Sequence, residues 1–264
     1  MTGKAGAAVA WSILLVGLAV GTAGLLAQPG EDRVIGEFTT SLTGRTPAQR
    51  HNARLSAERL NGAIVLPGET FSFNRRVGGW SRDRGYRKAP VSYNGQLIDS
   101  YGGGVCQTST TLYNAVLLAG LPVDERHRHR FHATYAPPGR DAAVAYEGID
   151  LKFTNTTRVP LRIEARVRGD LLVVGLRGPL RPPKPGNEVR IVSEVREVVR
   201  PTSFVLEGDR PGIRVRNGGK RGFEVSTFRE IGDRRELISV DSYPVMHRVL
   251  EKGAASPGRP DGLQ

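Results

Sequence analysis

The chain's single cysteine sits where nucleophilic chemistry is plausible on physical grounds. Cys106 lies in Gly102-Gly103-Gly104-Val105-Cys106-Gln107, and a run of helical character from Thr108 to Ala119 follows it. A thiol at a helix N-terminus meets unpaired backbone N–H groups and the positive end of the helix dipole, both of which favour the thiolate. Glycines before it let another chain approach the sulfur, because they lack side chains and tolerate positive φ. The competing fate of a free cysteine is to be a small buried hydrophobe. A nucleophilic thiol also needs an imidazole to move its proton and a third group to fix the imidazole tautomer.

Both residue types follow in Glu125-Arg126-His127-Arg128-His129-Arg130-Phe131-His132 and Pro137-Pro138-Gly139-Arg140-Asp141-Ala142. In extended backbone His127 and His129 share one face while Arg126 and Arg128 share the other. One of the two histidines is the candidate base. His129 is preferred because it lies nearer Phe131 and the strand expected beside the helix, with His127 supporting next to Glu125. Asp141, behind a stiff Pro-Pro-Gly turn, is the preferred orienting acid and Asp150 the alternative. Arg126 and Arg140 suit bidentate binding of a substrate carboxylate, or pairing with Glu125 and Asp141. The chain has no Cys-x-x-Cys or His-Glu-x-x-His spacing, so no metal site is expected, and no cofactor is expected either.

The elements that must position these residues are partly readable. Thr46-Pro47 opens a helix from Ala48 to Leu60, capped by Thr46 and closed near Gly62. Ile64 to Val91 reads as short strands and turns, with Phe71 and Phe73 on one side. The helix behind Cys106 buries Leu112, Val116 and Ala119 and stops at Gly120 before Pro122. Strands are expected at Phe131–Tyr135, Val144–Tyr146, Leu151–Phe153, Leu161–Val167 and Leu171–Leu176, the last two joined by a hairpin at Gly169-Asp170. Four prolines from Pro179 to Pro185 mark a linker. Further strands are expected at Val189–Val199, around Phe204, and at Ile213–Arg216, Phe223–Arg229 and Leu237–Val240. The expected fold is α+β: a mixed core with the cysteine-bearing helix packed on an antiparallel sheet, then a small β-rich module. The expected divisions are residues 1–30 as anchor or signal segment, 31–178 as the main domain, 179–188 as linker, 189–252 as the β module and 253–264 as a disordered tail.

Several ordered motifs resemble the VanW-like family. They are Pro67-Gly68-Glu69-Thr70-Phe71-Ser72-Phe73-Asn74, Val77-Gly78, Gly85-Tyr86, the run from Gly102 to Ala115, Glu125 to His129, Pro137 to Ala142, and Asp150-Leu151-Lys152-Phe153-Thr154-Asn155. The β tail is similar to the G5-like appendages of some members. The resemblance implies a cell-envelope protein linked by name to glycopeptide resistance. It also implies a cysteine L,D-transpeptidase that cross-links peptidoglycan stem peptides, with Gly102, Gly103, Gly104 and Gln107 at the substrate. Hydrolysis in place of transfer would make it a carboxypeptidase. A non-catalytic peptidoglycan-binding module is the rival class.

Composition bounds the setting. Ala5 to Ala27 carries no charge, is preceded by Lys4 and is followed by Glu31 and Asp32. That is the pattern of a single-pass membrane anchor with the N-terminus inside and the main domain extracytoplasmic, a cleaved signal being the alternative. One cysteine allows no internal disulfide. The net charge of +12, with 38 basic residues of which six are lysine, attracts anionic wall polymers or lipid headgroups. No nucleic-acid reader motif is present, so nucleic acid is not an expected partner.

Overall fold

The structure is a computed structural model that describes residues 32–253, apart from 94–95, 147, 181–182 and 209–211. The expected anchor and the tail beyond Gly253 lie outside the described residues. Among the described residues no helix is long and apolar enough to cross a membrane.

In chain order the elements are β1 (Arg33–Ser41), α1 (Pro47–Leu60), β2 (Ile64–Val65), β3 (Thr70–Ser72), α2 (Phe73–Val77), β4 (Lys88–Tyr93), β5 (Gln96–Tyr101) and α3 (Val105–Leu118). Then come β6 (Val123–Glu125), β7 (Lys152–Thr154), β8 (Leu161–Arg168) and β9 (Leu171–Gly178). The C-terminal part holds β10 (Arg190–Val199), β11 (Ser203–Gly208), β12 (Gly212–Asn217), β13 (Gly222–Ile231), β14 (Arg234–Tyr243) and β15 (Arg248–Gly253).

These strands make five separate sheets: β1-β9-β8-β2, β3-β7-β6, the β4-β5 hairpin, β10-β13-β14 and β11-β15-β12. All pairings are antiparallel except β11 with β15. This corrects the expected fold class. The molecule is mostly β, with several small sheets and three helices among the described residues, and not an α+β core of one helix-covered sheet. Among the strands that the sequence did not suggest are β1, β5 and β6; β6 spans only three residues, too short to show a period of two.

Local chemistry explains the elements that did declare themselves. Thr46 caps α1 through the Gln49 amide, and the Gln49 side chain returns to the Thr46 amide, a capping box worth about 1 kcal/mol. The β8–β9 hairpin turns at Gly169-Asp170 with Gly169 at positive φ, as expected. Segment 131–135 is a correction: it is irregular loop, because His132 leaves any sheet to stack on Phe223 and Tyr243. α3 starts at Val105, earlier than the sequence suggested, so Cys106 stands in its first turn.

One core lies beneath α1, α3 and the β1-β9-β8-β2 sheet, filled by Leu60, Leu112, Val116, Phe153, Ile163 and Leu176. β1 crosses α3 at Gly36, where a Cβ would fall 2.3 Å from the Ala115 carbonyl oxygen. Only glycine permits that approach. Beside it Thr40 Oγ1 meets Thr111 Oγ1 at 2.9 Å.

Candidate active site

α3 carries the thiol and also holds the acid. Its buried polar stripe bonds the backbone around Asp141: Ser109 Oγ donates to Ala142 O at 2.7 Å, Asn114 Nδ2 to Arg140 O at 2.8 Å, and the Ala142 amide donates to Thr110 Oγ1 at 3.0 Å. Buried hydroxyls and amides must find partners, so this stripe fixes the acid-bearing loop to the thiol-bearing helix with little slack. The Thr-Ser-Thr-Thr-Leu-Tyr-Asn run therefore has a physical reason that its helical spacing alone did not reveal.

The structure brings Cys106, His129 and Asp141 together. His129 Nδ1 lies 2.6 Å from Asp141 Oδ2, and the His129 amide donates to the same oxygen at 2.7 Å. Cys106 Sγ donates to Val144 O at 3.4 Å and faces the same cavity as the His129 imidazole, whose influence lowers its pKa. Asp141 is fully buried, and its other oxygen takes the Tyr243 hydroxyl and Arg126 Nη2, the latter at 3.3 Å.

The electrostatics follow from this geometry. Burial pushes the Cys106 thiol up, but the hydrogen bond and charge of His129 outweigh burial and the net shift is downward. Burial alone would depress His129; its bonds to Asp141 and Cys106 instead raise it to about 10. Asp141 is held well below the usual carboxylate range, where His129, Tyr243 and Arg126 overcome its desolvation. The arrangement favours a thiolate–imidazolium pair oriented by a permanent carboxylate.

The other expected residues fall elsewhere. His127 Nε2 contacts Glu125 Oε1 at 3.0 Å on the surface, while its backbone bridges Ala143. Asp150 accepts from Ser72 Oγ and the Asn74 and Leu151 amides, which fixes the start of α2. Arg126 is consumed internally, with Nη1 bidentate on Asp241 at 2.6 and 2.7 Å and Nε on Asp141 O at 2.7 Å. Arg140 bonds Asn114 Oδ1 and covers the Phe38 ring.

The three glycines mostly accommodate the protein itself. A Cβ on Gly102 would strike the Trp80 ring, one on Gly103 would strike Pro90 O, and one on Gly104, at φ 111°, would lie 2.3 Å from Gln49 O. Together with Cys106 and Gln107 they still line a cavity of about 270 Å³, into which His129, Tyr135, Arg45 and Lys220 also face. A larger cavity of about 410 Å³, between Tyr113, Leu117, Arg229 and Glu236, is lined by neither cysteine nor histidine. No group of three or more potential metal ligands occurs among the described residues.

The site also draws on residues that the sequence gave no reason to choose. Tyr243 and Asp241 come from β14, and Lys220 precedes β13; all three belong to the C-terminal part. They pack on the first part through Arg229 Nη1 to Leu121 O at 2.8 Å and Thr227 against Gly139. Across so wide a gap, no local pattern links these residues to Cys106.

A family model described as "VanW like protein" matches residues 48–177, a span that contains the thiol, the imidazole and the carboxylate. The chain is a VanW-like protein. It is 40% identical over 142 residues to "Uncharacterized protein YoaR" of Bacillus subtilis (strain 168), covering 54% of this chain and 47% of that one. Over 111 residues it is 37% identical to "Vancomycin B-type resistance protein VanW" of Enterococcus faecalis (strain ATCC 700802 / V583), covering 40% of each. This VanW-like chain thus spans less than half the length of either relative. Among solved structures the "IgA1 Protease G5 domain structure" is similar at 22% identity, covering 26% of this chain and 93% of that one, with a TM-score of 0.19.

Proposed function

We propose that this VanW-like protein is an extracytoplasmic, membrane-anchored acyl transferase of the cell envelope, acting on peptidoglycan stem peptides through a Cys106 thioester. The observation that carries the proposal is the Cys106–His129–Asp141 chain around a buried carboxylate, with the thiol pulled down and the imidazole raised to about 10. The name of the Enterococcus relative, which speaks of vancomycin resistance, agrees with an envelope setting. The net charge of +12 would hold the domain near anionic wall polymers.

In the first half-reaction the Cys106 thiolate attacks the carbonyl joining a diamino acid residue to the terminal D-residue. A C–S bond forms, the C–N bond breaks, and the departing amine takes its proton from His129 Nε2. In the second, an acceptor amine gives a proton to His129, attacks the thioester carbonyl and expels the thiolate. Water as acceptor gives a carboxypeptidase. The Val105 and Gln107 amides are engaged on Gly102 O and Gly104 O, which makes the Cys106 amide the backbone donor for the oxyanion.

The test is cross-linking of tetrapeptide muropeptides by wild type and Cys106→Ala. The variant is expected to form no dimers while losing roughly 1 kcal/mol of stability or less, since one half-buried sulfur leaves a small cavity. Dimer formation by the folded variant would remove the thioester. Absence of dimers with wild type as well, alongside muropeptide binding, would favour a binding module.

A further inference from the structure

Three cations line the cavity beside Cys106, and two of them, Arg45 and Lys220, come from loops outside the segment that carries His129. Arg45, in the loop between β1 and α1, donates through Nε to Gln107 Oε1 at 3.0 Å and lies over the Tyr135 ring, 4.9 Å from its centroid. Gln107 is itself buried, with Nε2 fixed on Thr40 Oγ1 at 3.1 Å and Ser41 O at 2.8 Å. Arg45 is therefore tied, through a rigid amide, to the residue that follows the nucleophile. Its two terminal nitrogens make no hydrogen bond among the described residues.

Lys220 reaches the same cavity from the C-terminal part, where its backbone bridges Met246 and its Nζ donates to His132 O at 3.3 Å. Desolvation, and then the charge of Arg45, press its pKa down. No carboxylate among the described residues pairs with either cation. Two like charges turned into one cavity repel each other, and an anion placed between them converts that repulsion into two charge-assisted bonds.

We propose that Arg45 and Lys220 form a carboxylate subsite that receives the free C-terminal carboxylate of the peptide whose acyl bond Cys106 attacks. The inference rests on the acyl-transfer reading and deepens it. Because Arg45 is fastened to the residue next to the thiol, the carboxylate it binds belongs to the residue immediately after the scissile bond. The bond broken is then the last one of the donor peptide, and internal bonds are refused. A peptide carboxylate fits better than a phosphate polymer, because a cavity of about 270 Å³ admits a small fragment.

The experiment uses the full chain carrying Cys106→Ala, which binds without turnover. The probes are acetyl-lysyl-D-alanine as free acid and as C-terminal amide, with affinities measured by calorimetry. The acid is expected to bind about tenfold or more tightly than the amide. Adding Arg45→Gln or Lys220→Gln should bring the acid down toward the amide and leave the amide unchanged, while Lys220→Arg keeps the preference. Equal binding of acid and amide overturns the subsite, as does a loss of both probes in the Gln variants. It is also overturned if poly(glycerol phosphate) binds through Arg45 and Lys220 and the acid fails to displace it. A preference for the acid with no thioester formed by wild type leaves the subsite standing and removes the acyl-transfer reading. Turnover at equal rates on acid and amide donors does the reverse.

Discussion

At the scale of single residues, the protein separates two histidines that stand two positions apart. His129 shares a buried carboxylate and the thiol, whereas His127 sits on the surface against Glu125. Alkylation of Cys106 by iodoacetamide should therefore proceed at pH values where an ordinary thiol is protonated. His129→Ala should slow it roughly tenfold or more at neutral pH, and His127→Ala should leave the profile in place. If His127→Ala alone shifts the profile, the roles are reversed. Turnover should be bell-shaped in pH. It rises as pH climbs through the depressed Cys106 pKa and falls as His129 loses its proton near 10, because the leaving amine then has no donor. A basic limb near the ordinary imidazole pKa would contradict the pairing.

The elements explain why these residues hold their positions. Gly104 and Gly44 both have positive φ, but only Gly104 has backbone, Gln49 O of α1, where a Cβ would go. Gly104→Ala should cost about 2 kcal/mol more than Gly44→Ala in urea unfolding. Equal costs would mean that α1 yields easily. Tyr243→Phe removes one donor from the buried Asp141 carboxylate and should cost about 1–3 kcal/mol at neutral pH. The sign in acid follows from Asp141 being depressed in the folded state: its stabilisation is present above the unfolded carboxylate pKa and lost as pH falls through the folded value. The gap between wild type and Tyr243→Phe should therefore narrow between about pH 5 and pH 2. A constant gap would show that the phenol acts through packing.

Legibility divided along the same lines. The Thr46 cap, the Gly169-Asp170 hairpin and the helix behind Cys106 announce themselves through short-range chemistry, and the residues that meet in the site were nameable by type. The three-residue β6 was not, since a sheet edge that short leaves no period. Segment 131–135 misled because its ring residues serve the cavity beside Cys106, and His132 stacks on Phe223 and Tyr243 instead of joining a strand. The roles of Lys220, Asp241 and Tyr243 were out of reach for the same reason: they are set by tertiary packing on residues far upstream.

For the whole molecule, the consequence is that the C-terminal β part belongs to the chemistry of the first part. Arg126, nearly buried, is shared between Asp141 and Asp241. Asp241→Ala leaves that guanidinium with half its carboxylate partners and should cost about 3 kcal/mol, with slower Cys106 alkylation as a second effect. Thermal melting and alkylation rates measured together check this. A lowered melting temperature with unchanged alkylation would confine Asp241 to holding the modules together.

The span of 102 residues between Asp141 and Tyr243 also sets an order in time. A chain grows from its N-terminus, so Cys106, His129 and Asp141 are made while the strand that steadies the acid has yet to be translated. Until β14 packs, Asp141 lacks the phenol and Arg126 lacks Asp241, and the carboxylate that orients His129 is held by fewer donors. The acid of the site is thus fully braced only once the C-terminal strands have packed on it.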